Sequence, residues 1–237
     1  MNKGWYPENK DELNNILEGF LSQDNKINAK EIHGIIVPHA GYAYSGKIAG
    51  KAFSLLKKQT KHKRAIVFGP SHYTGFYGVA TLGSIKTPLG EIKISKNNMQ
   101  PLDYEHSIEN QIPFLQKLGF KEVLPVIVGQ ISERDAEGFA QEFLKYKDVV
   151  FIFSTDLSHF QPYNHAVKKD KETIRIIEDL DFEKINNLDA CGIHPLMILM
   201  NMCKINNWKP KLIEYKNSGD VTGDKSSRVV GYGAFWF

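Results

Sequence analysis

Apolar positions recur along this chain in two periods, that of amphipathic helices and that of buried strands. From Asp11 to Leu21, the residues Leu13, Ile16, Leu17, Phe20 and Leu21 keep the three- and four-residue spacing of a helix face. After a polar stretch, His33 to Val37 reads as a first core strand, and Pro38 ends it because proline has no N–H to give a ladder. Ser45 is then the expected N-cap of a helix that shows Ile48, Ala49, Ala52, Phe53 and Leu56 on one face. This order of strand, loop and helix is the first half of a βαβ unit. Ala65 to Phe68 is the next buried strand.

Further along, Tyr77 to Leu82 and Glu91 to Ile94 are expected to pair as a hairpin through the TPLG turn, so the sheet or a ribbon beside it is mixed. One helix is expected from Asp103 to Gly119, on the spacing of Ile108, Ile112 and Leu115, with Pro113 as a kink. Val123 to Val128 is a strand, Ser132 with Asp135 forms a capping-box signature before a helix, and Val149 to Phe153 is another strand. A polar helix follows from about 164 to 179. Pro195 suits a first helical turn, which puts Cys191 at or just before a helix N-terminus. Lys211 to Tyr215 and Val229 to Trp236 close the sheet, separated by the loop SGDVTGDKSS. No repeat, low-complexity tract or linker interrupts this order. The expected fold is α/β, a single three-layer α/β/α domain over residues 1–237 around a central mixed sheet.

Composition narrows the function classes. The 42% hydrophobic and 24% charged residues are those of an ordinary globular protein, and a formal charge of +3 spread along the chain implies no nucleic-acid partner. The dense basic run from Lys57 to Arg64 lies between a helix and a strand, where a solvated connection is expected. No apolar run approaches the roughly 18 residues of a membrane span, and the polar N-terminus has no apolar leader segment, so a cytoplasmic protein is expected. If the segment between Cys191 and Cys203 is helical they are about 18 Å apart. Bridged Cα atoms lie within about 7 Å, so no disulfide joins them.

Candidate chemistry sits where strands end. His39 follows the first strand in VPHAGYAYSG, His72 follows the second in FGPSHY, and Asp156 and His159 follow a later one in STDLSHF. In open α/β sheets such loops gather at the carboxyl ends of the strands. Neutral imidazole is a common ligand of late first-row metals, and a cysteine at a helix N-terminus favours thiolate. His39, His72 and Cys191 could therefore form a site of two histidines and one anion, related to the two-histidine, one-carboxylate arrangement of non-haem iron but softened by sulfur towards copper or zinc. His159 and Asp156 could stay unligated as general acid and base. Each residue also has a plainer role open to it: turn histidines that bond to backbone, and a small buried cysteine.

The motifs PHAGYAYSG, GPSHY, EHSIENQIPFLQ, STDLSHF, CGIHP and SGDVTGDKSSRVVGYGAF, in this order, resemble the Memo family over nearly the whole chain. The resemblance implies a fold similar to that of the class III extradiol ring-cleavage dioxygenases. It also implies a metal, Fe(II) first and Cu or Zn after it, held by His39, His72 and Cys191. The dioxygenases carry a glutamate where this chain has Cys191, and a thiolate is itself oxidisable, which counts against catechol cleavage. Prokaryotic Memo-like proteins resemble components of the AmmeMemoRadiSam system, whose other parts are a radical-SAM enzyme and an AMMECR-type protein. Glu105, His106 and Glu109 of the EHSIEN segment are expected to orient the ligands, since metal-bound histidines give their second N–H to a carboxylate or carbonyl.

Three readings stay open on the residues. The first is a metal-dependent redox enzyme. The second is a binding protein that uses the same cleft for a peptide or partner. The third is a cysteine hydrolase with Cys191 as nucleophile and His159 and Asp156 in support, disfavoured because a triad's orienting carboxylate approaches its histidine from elsewhere.

Overall fold

Four parallel strands form the middle of the sheet, in the spatial order Gly34–Val37, Val150–Ser154, Arg64–Pro70 and Glu122–Val128. The computed structural model describes residues 4–23, 27, 31–58 and 64–237. Gly231–Trp236 adds antiparallel to Gly34–Val37, and Lys211–Asn217 adds antiparallel to Gly231–Trp236. On the other side Val79–Leu82 runs antiparallel to Glu122–Val128, and Pro101–Leu102 pairs with Val79–Leu82. The nine-stranded sheet is thus mixed, as expected.

Side-chain alternation divides the core into two layers. Ile35, Val37, Val67 and Ile152 face one way, against Leu13 and Leu17 of helix Lys10–Leu21 and Ile48, Ala52 and Phe53 of helix Tyr42–Leu55. Ile36, Ile66, Phe68 and Phe153 face the other way, against Ala136 and Ala140 of helix Glu133–Phe143 and Leu196 and Leu199 of helix Ile193–Asn206. Strands apolar on both faces must be covered on both, which is why the architecture has three layers. Among the described residues, no helix is long and apolar enough to cross a membrane.

Four local expectations change. Ser45 is not a cap: the helix opens at Tyr42 behind Gly41, and Ser45, buried in its first turns, donates its hydroxyl to the Ala40 carbonyl at 2.8 Å. The TPLG turn joins Lys86–Thr87 to Gly90–Glu91, while Lys93–Ile94 leaves to pair parallel with Glu122–Val128. The helix expected over 103–119 is two, His106–Glu109 and Ile112–Lys117, with Pro113 in the first turn of the second, where its missing N–H costs nothing. The expected loop SGDVTGDKSS contains a short helix, Ser218–Thr222, capped by Asn217 and Asp220. Residues 59–63, most of the basic connection and His62 with it, lie outside the described residues.

Candidate metal centre

The carboxyl ends of three neighbouring parallel strands deliver the site. Gly34–Val37 leads to His39, Arg64–Pro70 to His72, and Val150–Ser154 to Asp156. The segment 105–111 then lies across this end of the sheet and is pinned there by its polar residues. Ser107 Oγ donates to the Pro70 carbonyl at 2.9 Å, Asn110 Nδ2 to the His39 carbonyl at 2.6 Å, and Gln111 Nε2 to Ser154 Oγ at 2.9 Å. Tyr42 Oη donates to the Asn110 carbonyl at 2.8 Å. Breaking the helix at Asn110 and Gln111 is what frees these two side chains to hold the histidine loops.

His39, His72 and His106 each offer a ring nitrogen such that all three atoms lie within 4.8 Å of one another. In two of them the other ring nitrogen is hydrogen-bonded. His39 Nδ1 is 2.9 Å from Ser154 Oγ, and His72 Nδ1 is 2.9 Å from Glu105 Oε1. The Glu105 carboxylate can only accept, so His72 keeps its proton on Nδ1 and Nε2 is free to ligate; in His39, Nε2 is the nitrogen beside Cys191 Sγ. His106 Nδ1 is 3.2 Å from Glu105 Oε1 without hydrogen-bond alignment, and its ring stacks on Trp5 with centroids 4.4 Å apart.

Glu105 organises this group. It caps the short helix through Ser107 N at 3.0 Å and also accepts from the backbone N–H of His72 at 2.7 Å. Burial alone would raise its pKa, but the contacts with His106 and His72 and the two backbone donors hold it well below the usual carboxylate range. A fixed negative charge therefore lies behind the imidazoles. His39 is 2% exposed, and burial, reinforced by the neighbouring His72 and His106, holds its pKa well below the ordinary value. A neutral imidazole is the form that binds a metal.

Cys191 lies beside His39 with Sγ 3.3 Å from Nε2. Its sulfur accepts from Asp156 N at 3.3 Å, and Gly192 N donates to Thr155 Oγ1 at 2.9 Å, so the helix start is bound to the strand end. A Cβ on Gly192 would come 2.6 Å from the Thr155 side chain, which accounts for glycine there. The expected depressed thiol is not found. Cys191 keeps part of its surface, but burial of the sulfur, with the Asp156 carboxylate second, pushes the thiol up to about 12. The helix begins only at Ile193, so its free N–H groups do not offset these effects. That direction disfavours a cysteine nucleophile, whereas a bound metal would deprotonate the thiol outright. Both cysteines are free.

Asp156 is buried, and its Oδ1 accepts from His39 N at 2.8 Å. Burial raises its pKa against that hydrogen bond and the nearby charge of His159. His159 follows on the same loop, within electrostatic reach of both His39 and Asp156. Glu109 is buried in the short helix near Tyr6 and Tyr104. His39 and His72 thus meet at one end of the sheet with Cys191 Sγ beside His39, and Glu105 accepts from the backbone and ring N–H of His72, while the group of three close nitrogens includes His106 and not Cys191. His106, expected behind the ligands, supplies the third nitrogen of that group. Ser154, Asn110, Gln111 and Trp5 are participants that sequence reasoning passed over. The Pro113 signal, read as a helix start, would have exposed the two amides.

These features define a class: a three-layer α/β protein with an imidazole and thiol centre at the carboxyl ends of its parallel strands. The model of the Memo family, described as Memo-like protein, matches residues 3–236, and the chain belongs to that family. A MEMO1 family protein of Sulfurisphaera tokodaii is 38% identical over 228 residues, covering 83% of this chain and 80% of the relative. One from Methanococcoides burtonii is 37% identical and covers 88% of each, and one from Aquifex aeolicus is 33% identical and covers 96% and 94%. The crystal structure of the uncharacterized protein JW3007 from Escherichia coli K12 is similar with a TM-score of 0.56 at 8% identity, over 86% of this chain and 99% of that one. At that identity the likeness is one of fold.

Proposed function

We propose that the chain is a metal-dependent redox protein whose centre uses His39 and His72 with Cys191 as the third donor, His106 being a further imidazole within reach. The observation that supports this reading is the convergence of the His39, His72 and His106 nitrogens within 4.8 Å, two of them backed by a hydrogen bond on the opposite nitrogen, with Cys191 Sγ 3.3 Å from His39 Nε2. The donor set fits a late first-row metal: neutral buried imidazole, a thiol and an orienting carboxylate. Iron comes first, with copper and zinc as competitors. Such an ion would supply a Lewis acid and a redox centre. Around it, Glu105 holds His72 in one tautomer, Ser154 fixes the ring orientation of His39 through Nδ1, and His159 with Asp156 moves protons on the side of the Cys191 loop. In the cell the substrate is expected to come from, or pass to, a radical-SAM partner and an AMMECR-type protein in a cytoplasmic system.

Metal analysis of protein purified without a nickel column tests this. Close to one equivalent of iron or copper is expected, lost in the His39→Ala, Cys191→Ala double variant; unchanged metal content in that variant would sink the proposal. The single variants divide the third ligand, since Cys191→Ala should lose metal and His106→Ala retain most of it. Oxygen uptake with catechols then addresses the chemistry, and no uptake would remove the dioxygenase analogy alone.

A second reading, a non-catalytic binding protein, draws support from a groove of about 910 Å³ lined by Trp5, Tyr6, Phe20, Tyr42 and Tyr44, beside the centre and divided from it by the Trp5 ring that stacks on His106. In that case a peptide or protein complex should survive replacement of His39, His72 and Cys191 together.

A further inference from the structure

The loop that carries Asp156 and His159 is held from behind by a second buried carboxylate, far from the centre in sequence. Asp170 lies on helix Tyr163–Asp179 and is fully buried. Its Oδ1 accepts from the backbone N–H of Ser158 at 2.9 Å, and its Oδ2 accepts from Tyr215 Oη at 2.7 Å. The Ser158 carbonyl accepts from Gly231 N at 2.9 Å, and Leu157 N donates to the Gly231 carbonyl at 2.8 Å. The residue before His159 thus has both backbone groups bound, one to a helix and one to the strand Gly231–Trp236.

Gly231 shows how closely the carboxylate is fitted. A Cβ at that position would lie 2.2 Å from Asp170 Oδ2, so any side chain there would displace the acid. A buried carboxylate is costly unless well-placed hydrogen bonds offset the loss of water, and here those come from Ser158 N and Tyr215 Oη. Surface hydrogen bonds could have tied this helix down equally well. What this carboxylate contacts instead is the peptide next to His159.

We propose that Asp170 is a positioning residue that sets the backbone of Ser158 and thereby aims His159 at the centre. The proposal rests on reading His159 and Asp156 as the proton-handling pair. It acts through hydrogen-bond geometry, so an amide of the same shape should largely replace the acid: Asn offers Oδ1 to Ser158 N, and its NH₂ can donate to Tyr215 Oη.

Amide hydrogen exchange and histidine ring NMR on the full chain, as purified, test it with Asp170→Ala, Asp170→Asn and Gly231→Ala. In Asp170→Ala the Ser158 amide should exchange about 10- to 100-fold faster, the loss of one hydrogen bond to a charged group. Its His159 ring signals should shift while those of His165 do not. Asp170→Asn should restore both towards wild type. Gly231→Ala, which pushes the carboxylate aside without removing it, should reproduce the Ala result and serves if Asp170→Ala does not fold. Unchanged Ser158 exchange in Gly231→Ala and Asp170→Ala, or an Asn variant as loose as Ala, would overturn the proposal. The exchange result is independent of turnover, so an inert oxygen-uptake assay beside the expected exchange pattern would fault the proton-handling reading and leave the positioning intact.

Discussion

Replacing Glu105 separates a centre organised by one carboxylate from a chance gathering of histidines. Its Oε1 accepts from His72 Nδ1 and Ser107 N, and its Oε2 accepts from His72 N. In Glu105→Ala, two backbone donors lose a charged acceptor at a position 1% exposed. Each such loss costs about 1–3 kcal/mol, so about 3 kcal/mol is expected after water enters the space, the half-exposed ring of His72 adding little. For a chain of this length that lowers the Tm by about 6–12 °C. Glu105→Gln should fall between, because its NH₂ must face a donor wherever it is placed. At Oε2 it meets one N–H; at Oε1 it meets two. Metal affinity should drop by about 10- to 100-fold in either variant, the usual cost of releasing a ligand's supporting partner. Urea denaturation and competition with a chelator measure the two effects. A Glu105→Ala protein with wild-type midpoint and wild-type affinity would refute the reasoning.

Three further outcomes follow from the same packing. Gly34→Ala would drive a Cβ to 2.3 Å from the Phe151 carbonyl and 2.4 Å from the Phe237 ring, and as backbone cannot yield in the sheet centre, a loss of about 3 kcal/mol or more is expected by urea denaturation; a loss under 1 would contradict the contact. Tyr42→Phe removes the hydroxyl that fixes the Asn110 carbonyl and should cost about 1 kcal/mol, read as a Tm lower by about 2–4 °C, with no shift counting against that bond. Burial raises the Asp170 carboxyl above its ordinary 3.8, against the hydrogen bonds from Tyr215 and Ser158. An acid raised in the folded state favours folding most below the unfolded value, and that advantage fades as pH rises through the folded value. Asp170→Asn should therefore gain on wild type as pH climbs from about 3.8, and a stability gap constant through the mildly acidic range would show the sign to be wrong.

The strands and their ends were legible in the sequence because runs such as Ala65 to Phe68 and Val123 to Val128 are apolar on both faces and stop at proline or glycine. That placed His39, His72 and Asp156 in the loops after strands, while Pro195 placed Cys191 at a helix start. The break at Asn110 and Gln111 was not legible, since Ile108, Ile112 and Leu115 keep helical spacing straight across it. Periodicity records which side chains are buried, not whether the backbone between them is continuous. Nor could spacing show that burial would outweigh the helix end at Cys191, because that depends on packing from Thr155 and Asp156, which are remote in the chain. The short strand pairings around Lys86 to Ile94 were misjoined because two-residue strands carry almost no period.

The strand order has a consequence for how this chain is made. Val150–Ser154 is inserted between Gly34–Val37 and Arg64–Pro70, both of which are translated long before it. Until that strand leaves the ribosome, each of the two earlier strands presents an unpaired edge to the gap, the kind of edge that recruits foreign strands. His39 and His72 cannot reach their final separation during this interval. An ion held by His39 and His72 together, as proposed, could therefore bind only after roughly the first two thirds of the chain has emerged. Chaperone dependence should concentrate in nascent chains that have not yet delivered the central strand.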